Sequence, residues 1–370
     1  SHAPAGKPEV REVSEIFDHT AAVRKMLAAL VHKEHGVLPS IGAIEAVGHR
    51  VVHGGESFRA STLVTPEVKE EIRRLFDLAP LHNPAHLAGI LAVEANLPGV
   101  PQVVVFDTAF HQTMDRHAYL YPIPMVLYRR HKIRKYGFHG TSHMFVSRAA
   151  AELLGRPVEE LKLITCHIGN GASVAAVQGG RSVDTSMGMT PLEGLMMGTR
   201  SGDLDPAVVP FVMAKEDLTV GEVSSMLNKH SGLLAVSGLS SDMREIQEAM
   251  AEGHEGARLA FEMFEYRLRK YIGAYAAAMN GVDAIVFTAG IGENSWQLRE
   301  RVLTHLTYLG VELDPEANRS PERGPRRITT PASRVAALVV PTNEELVIAR
   351  DTYAIVSRSA AGEDQLTGKR

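Results

Sequence analysis

LKLITCHIGNGASVAAVQGGRSVDTS, residues 161–186, is the stretch on which the reading of the whole chain turns. It runs apolar (Leu163–Cys166), then through His167-Ile168-Gly169-Asn170-Gly171, then apolar again (Ala172–Ala175). Asn-Gly between two apolar runs is a strong hairpin signal, because the tightest hairpin turns need φ > 0 at both central residues. Such a turn needs neither a histidine entering it nor a serine leaving it. Bare glycine backbone lets a ligand come close, and successive N–H groups can cradle an anion. An ordinary surface hairpin and a phosphate grip are both open at this point.

Working outward, two more apolar runs end in glycine-rich turns. Residues 43–55 read as a strand entering His53-Gly54-Gly55, with Arg50 inside the run. An unpaired guanidinium there is costly, so Arg50 is either an edge residue reaching water or an anion receptor at a strand end. Asp283–Phe287 reads as a buried strand leading into Thr288-Ala289-Gly290-Ile291-Gly292-Glu293-Asn294 and a helix. Gln102–Phe106 is a buried-type strand with Asp107 at its carboxyl end, the end at which open α/β sheets bind ligands. Asp107 either caps the next segment or meets a metal or phosphate.

Between these strands the pattern is helical. Val23, Leu27 and Leu30 predict a helix within residues 13–32, and Thr65-Pro66-Glu67 starts one reaching about Phe76. Another opens at Leu81-His82-Asn83-Pro84 and ends near Leu97. YGFHGTSH (136–143) precedes an apolar helix through Leu154, with Thr141 or Ser142 as its expected N-cap and His139 before its positive end. Residues 207–280 read as mostly helical, and Val335–Pro341 as a last strand. Thr342-Asn343-Glu344-Glu345 opens the final helix, with its acids suited to a first turn. The tail from Ser357 reads as polar and mobile. DTSMGMTPLEGLMMGTRSGDLDP (184–206) is a long glycine-rich loop holding Arg200, and its methionines and leucines argue against disorder.

The 370 residues suffice for two domains, with 45% hydrophobic and 22% charged residues and a net charge of −4. With no basic block, neither nucleic acid nor an anionic membrane is expected as a partner. Cys166, the one cysteine, lies in an apolar run and reads as an inert core thiol. No spanning helix or secretory signal is expected, which points to the cytoplasm. His49/His53 and His139/His143 have zinc-helix spacing but lack the Glu of H-E-x-x-H, so zinc is not expected. Alternating strands and helices imply α/β architecture, and no Walker A sequence occurs.

The segments GHRVVHGGE (48–56), APLHNP (79–84), VFDTAFH (105–111), YGFHGTSH (136–143), CHIGNGAS (166–173), 184–206, FTAGIGENS (287–295) and TNEELVIARD (342–351) together resemble the acetokinase family, of the sugar kinase, heat-shock chaperone and actin superfamily. The resemblance implies an α/β fold of two ribonuclease H-like (actin-like ATPase) domains with an interdomain nucleotide cleft. It divides the chain into residues 1–109 plus 345–370, an acyl-kinase domain, and residues 110–344, a nucleotide-binding and dimerisation domain. It implies Mg²⁺-dependent, reversible phosphoryl transfer between ATP and acetate, in a homodimer. By position, Arg50 and Arg200 would hold the carboxylate and the phosphoryl group, His139 and Arg200 would stabilise the transition state, Asp107 would be the catalytic aspartate and Glu344 a magnesium residue. Val52, Leu81, Phe138 and Pro191 would surround the acetate methyl. His167, Asn170 and Gly171 would grip phosphate, and Asp242, Met243, Arg244, Gly290, Ile291, Gly292 and Asn294 would take the nucleotide, with His82 in support. A propionate kinase of the same family and a catalytically silent nucleotide-binding protein are the alternatives. The family's opening strand and N-x-G-S-S-S-x-K loop have no counterpart before Arg50; the expectation is that this hairpin lies outside these 370 residues, and that its true loss would leave little or no turnover.

Overall fold

Short apolar runs and their turns build two separate sheets in the computed structural model, which describes residues 1–80 and 82–361. The chain forms two compact units, Ser1–Ala109 with the described part of Glu345–Arg370, and Phe110–Glu344.

In the first unit β1 (Val47–Val51) and β3 (Gln102–Phe106) run parallel, and β2 (Thr62–Leu63) joins β3 antiparallel. All five residues of β3 are buried, as expected of a central strand between two neighbours. Val51, Val104 and Phe106 meet Ile72, Leu87 and Ile90 from the helices Pro66–Arg74 and Asn83–Asn96. The first of these helices starts as expected, with Thr65 capping Val68 N and Pro66 in the first turn. The amino-terminal helix is shorter than its apolar spacing predicts: it spans His19–Leu30, because Asp18 caps it by accepting from Ala21 N. Val13, Ile16 and Phe17, inside the expected helix, are exposed.

In the second unit β4 (Lys162–Ile168), β5 (Ala172–Gln178) and β6 (Arg181–Thr185) form an antiparallel meander. β7 (Ala284–Thr288) and β9 (Ala336–Val339) extend it in parallel, and β8 (Arg326–Arg327) closes it antiparallel, in the order β6-β5-β4-β7-β9-β8. A three-stranded meander continued by parallel strands is the ribonuclease H-like pattern that the resemblance implied. Alternate residues of β4 face opposite sides. Leu163 joins Ala175, Val177, Ala284 and Val286 under Val146 and Ala150 of the helix Gly140–Leu154. The helix Glu255–Ala278 packs against β5 and β4, burying Phe261, Phe264, Leu268 and Ile272. Cys166 is fully buried, and its burial pushes the thiol pKa far up, so it is inert core as expected.

Several local expectations change. The β4–β5 loop is Gly169–Gly171, closed by Gly169 N donating to Gly171 O, and none of its residues has positive φ. The left-handed pair lies one hairpin later, at Gly179 (φ 59°) and Gly180 (φ 73°) between paired Gln178 and Arg181. The tight turn is therefore Gly-Gly, which releases Asn170-Gly171 from that backbone role. The N-cap of the helix Gly140–Leu154 is His139 itself, at φ 56°, so Thr141 and Ser142 fall inside the first turn. The Gly290-x-Gly292 segment is not an open turn but part of the helix Ala289–Asn294. The final helix runs Glu344–Ala360, so residues 357–360 are helical rather than tail; the tail beyond 361 lies outside the described residues.

Candidate active site

In the first unit, β1 and β3 carry Arg50 and Asp107 to the same carboxyl edge, with Arg50 in register with Val105. Arg50 Nε donates to Asp107 Oδ1 at 2.9 Å and Nη2 to Oδ2 at 2.5 Å, a bidentate pair. The carboxylate is 1% exposed and the guanidinium 42%, so one end is fixed while the other reaches solvent. His86 stays neutral there: burial first, then the Arg50 charge, bring its pKa down to about 4. Asn83 braces the adjoining glycine turn, accepting from His53 N at 3.2 Å and donating to His53 O at 3.0 Å. Val52 is buried two residues from Arg50, His82 occupies the N-cap position of the helix Asn83–Asn96, and Leu81 lies outside the described residues.

In the second unit the polar groups gather where β4 ends. Leu163 belongs to the apolar layer, whereas Thr165 and His167, on the same face, are polar and meet Ser142 and His143 of the overlying helix. His167 Nδ1 lies 2.8 Å from Ser142 Oγ. The His139 ring stacks on His167 at 4.1 Å between centroids and 19° between planes. Ser173, opposite His167 across the hairpin, stands 2.9 Å from His139 Nδ1 and 2.8 Å from His143 Nε2. Left-handed backbone is uncommon for a residue other than glycine, and at His139 it aims the ring back over the hairpin. His143 and His111 are fully buried, and that burial lowers the pKa of both, His111 to about 4.

The long loop holds Arg200 over the same hairpin. Met187, Leu195, Met196 and Met197 are buried, which anchors the loop as its composition predicted. Arg200 Nη1 donates to Pro191 O at 3.1 Å. Burial lowers the Arg200 pKa, and no carboxylate among the described residues pairs with it. A Cβ built on Gly171 would stand 3.5 Å from Arg200 Nη1 and 3.8 Å from His139 Nε2. The bare glycine thus faces a cation and an imidazole.

On the other side of this turn lies a cavity of about 680 Å³, lined by Gly169, Asn170, Asp242–Arg244, Gly290, Ile291 and Asn294 together with Ser241, Gln247 and Ser295. It gathers most of the residues expected at the nucleotide. Arg244 pairs with Asp242 at 2.6 Å, and Met243 is buried. Gly292 does not line it: a Cβ there would meet Cys166 O and Ile168 at 3.6 Å, so this glycine serves helix-on-strand packing. His167 and Gly171 also lie outside the lining. Ser241, Gln247 and Ser295 were not expected at the nucleotide: Ser241 precedes a helix, Gln247 lies within it and Ser295 caps the next one; Gln247 Nε2 donates to Ser295 Oγ at 2.8 Å and closes the wall. Phe138 is buried, with its carbonyl 3.0 Å from His111 Nε2.

Gly198 N donates to Asn170 O at 3.0 Å, and a Cβ on Gly198 would collide with Asn170 Oδ1. The Gly198→Ala substitution is therefore expected to cost about 1–3 kcal/mol and to raise the KM for nucleotide, because Asn170 must move. Thermal melting and nucleotide titration check this; an unshifted melting temperature and KM would show that the loop yields freely.

Among the described residues no three His, Cys, Asp or Glu side chains converge as a metal cage. Glu344, the expected magnesium residue, stands at the start of the final helix.

The acetokinase family model matches residues 3–350. The acetate kinase of Symbiobacterium thermophilum is 61% identical over 349 residues, covering 94% of this chain and 87% of the relative. That of Thermotoga maritima is 60% identical over 346 residues, covering 93% and 86%. Among solved structures, Porphyromonas gingivalis acetate kinase superposes with a TM-score of 0.89 at 51% identity, covering 92% of this chain and 85% of the other. A Francisella tularensis propionate kinase superposes with a TM-score of 0.85 at 43% identity, covering 91% and 84%. On sequence and fold alike, the chain belongs to the acetokinase family.

Proposed function

We infer that the protein is an acetate kinase, transferring the γ-phosphoryl group of ATP reversibly to acetate to give acetyl phosphate and ADP. It uses ATP with a divalent cation, which we take to be Mg²⁺. The observation that carries the mechanism is the surroundings of Gly171. On one side Asn170 lines the 680 Å³ cavity, and on the other Arg200 and His139 face the bare backbone. A nucleotide seated in the cavity among Asp242, Met243, Arg244, Gly290, Ile291 and Asn294 would pass its phosphates over this turn toward cationic and N–H donors. Phosphoryl transfer has little covalent work for a protein to do; positioning and charge neutralisation dominate.

In this reading Arg200 and His139 stabilise the phosphoryl group in flight, with His167 and Gly171 gripping phosphate beside them. Arg50, oriented by Asp107, receives the carboxylate. Val52, Phe138 and Pro191, with Leu81, are taken as the acyl-pocket residues that the family resemblance implies. Glu344 would help to hold the divalent cation, which would supply neutralisation of the charge that develops in transfer. The residue ranges 1–109 plus 345–370 and 110–344 are taken as the acyl and nucleotide domains, and the molecule as a cytoplasmic homodimer.

The test is acyl hydroxamate formation from ATP and Mg²⁺ with acetate or propionate. Turnover with acetate favoured supports the reading. ATP binding with neither acid consumed overturns it in favour of a silent nucleotide-binding protein, and turnover favouring propionate moves the substrate assignment. Val52→Ala is expected to raise the propionate-to-acetate ratio of kcat/KM by roughly 10-fold, since one methylene in a small pocket is worth about 1–3 kcal/mol. An unchanged ratio would remove Val52 from the acyl pocket.

A further inference from the structure

We propose that Thr165, His143 and Ser173 form a one-way hydrogen-bond relay that holds His139 as the tautomer carrying its proton on Nε2. The proposal rests on the role given to His139 above, but its geometry stands on four hydrogen-bonded groups. Thr165 Oγ1 lies 2.7 Å from His143 Nδ1, His143 Nε2 lies 2.8 Å from Ser173 Oγ, and Ser173 Oγ lies 2.9 Å from His139 Nδ1. Thr165, Ser173 and His143 are all fully buried, so water cannot supply a missing partner.

Distances alone leave two directions. A neutral imidazole has one N–H and one lone pair, and each hydroxyl has one proton to give. Burial, with His111 and His167 beside it, keeps His143 neutral. In one direction His139 Nδ1–H donates to Ser173, Ser173 to His143 Nε2, and His143 Nδ1–H to Thr165. The Thr165 proton then has nowhere to go, because among the described residues its hydroxyl meets His143 Nδ1 alone. In the other direction Thr165 donates to His143 Nδ1, His143 Nε2–H donates to Ser173, and Ser173 donates to His139 Nδ1. Every group is then satisfied. An orphaned buried donor is costly enough to bias the two patterns by roughly 10-fold or more.

His139 Nδ1 is therefore an acceptor, and the ring proton sits on Nε2, the nitrogen that a Cβ on Gly171 would approach at 3.8 Å. The ring presents a hydrogen-bond donor, not a lone pair, to an incoming anionic oxygen. A lone pair there would repel the phosphoryl oxygens. Ser173, His143 and Thr165 are thus positioning residues: each acts only through His139.

The experiment is ring-nitrogen NMR of ¹⁵N-histidine-labelled protein, with His139 assigned from the spectrum of His139→Gln. The wild-type protein is expected to show His139 protonated at Nε2 without any substrate present. Protonation at Nδ1, or an even mixture, overturns the proposal without requiring any relay variant to fold. Ser173→Ala should release the ring to both tautomers and lower kcat roughly 10-fold, with the nucleotide KM unchanged. A Ser173→Ala protein that keeps the wild-type tautomer overturns it as well. Because the tautomer is read without turnover, an Nε2 proton in a protein that makes no acyl hydroxamate would sink the function and leave the relay standing.

Discussion

Replacing Arg200 by alanine is expected to lower kcat by about 10²–10³-fold while nucleotide affinity changes little. Arg200 is held by neutral groups, the Pro191 carbonyl and the Met197 sulfur at 3.7 Å, so no carboxylate among the described residues cancels its positive charge. Burial lowers its pKa with no compensating acid among the described residues, the condition under which an arriving anion gains most from the charge. The cavity proposed for the nucleotide does not include Arg200 among its walls. Loss of the side chain should therefore leave the ground-state complex and remove stabilisation of charge in transfer. Arg200→Lys should recover only part of the rate, because one ammonium cannot reproduce a planar fork of donors. Steady-state kinetics with a separate nucleotide-binding titration checks both; kcat near wild type in the alanine variant would take Arg200 out of the mechanism.

The Arg50–Asp107 pair should give the second large effect, in stability as well as in rate. Arg50→Ala leaves a carboxylate that is 1% exposed without its bidentate partner. Stripping one partner from a fully buried pair costs about 3–5 kcal/mol, but the Arg50 side chain is 42% exposed, so about 2 kcal/mol is expected here. Activity should fall at least about 10²-fold, since the acyl substrate loses its cation. Removing both charges in Arg50→Ala/Asp107→Ala should recover much of the stability and none of the activity. That split separates a structural ion pair from a working one. Denaturant melts and hydroxamate assays on the three variants decide it, and a double variant with near wild-type turnover would reject both assignments.

Much of this was legible from residue order. The buried strands, the helix started by Thr65-Pro66, the mostly helical residues 207–280 and the anchored loop around Arg200 follow from continuous apolar runs, helical spacing and capping chemistry, all local properties. The turn chemistry was harder. Asn170-Gly171 has the strongest hairpin composition, yet the left-handed pair is Gly179-Gly180. Composition marks where the chain can bend sharply, whereas strand register decides which bend is two residues long. His139 illustrates the same limit: Thr141 and Ser142 are the better caps by type, but the overlying helix begins two to three residues earlier, with a histidine in left-handed backbone.

By itself the sequence determined the alternation of strands and helices, the family and the charged residues on which the chemistry depends. Only the tertiary structure decided their pairing. Residues 50 and 107 meet because two parallel strands share a register, and Thr165, His143, Ser173 and His139 connect because a helix crosses one face of a hairpin. It also decided that Gly292 serves packing while Ser241, Gln247 and Ser295 wall the cavity. Local sequence governs torsions and burial preference along the chain, but hydrogen-bond partners dozens of residues away are selected by the packing of whole elements, which no short window contains.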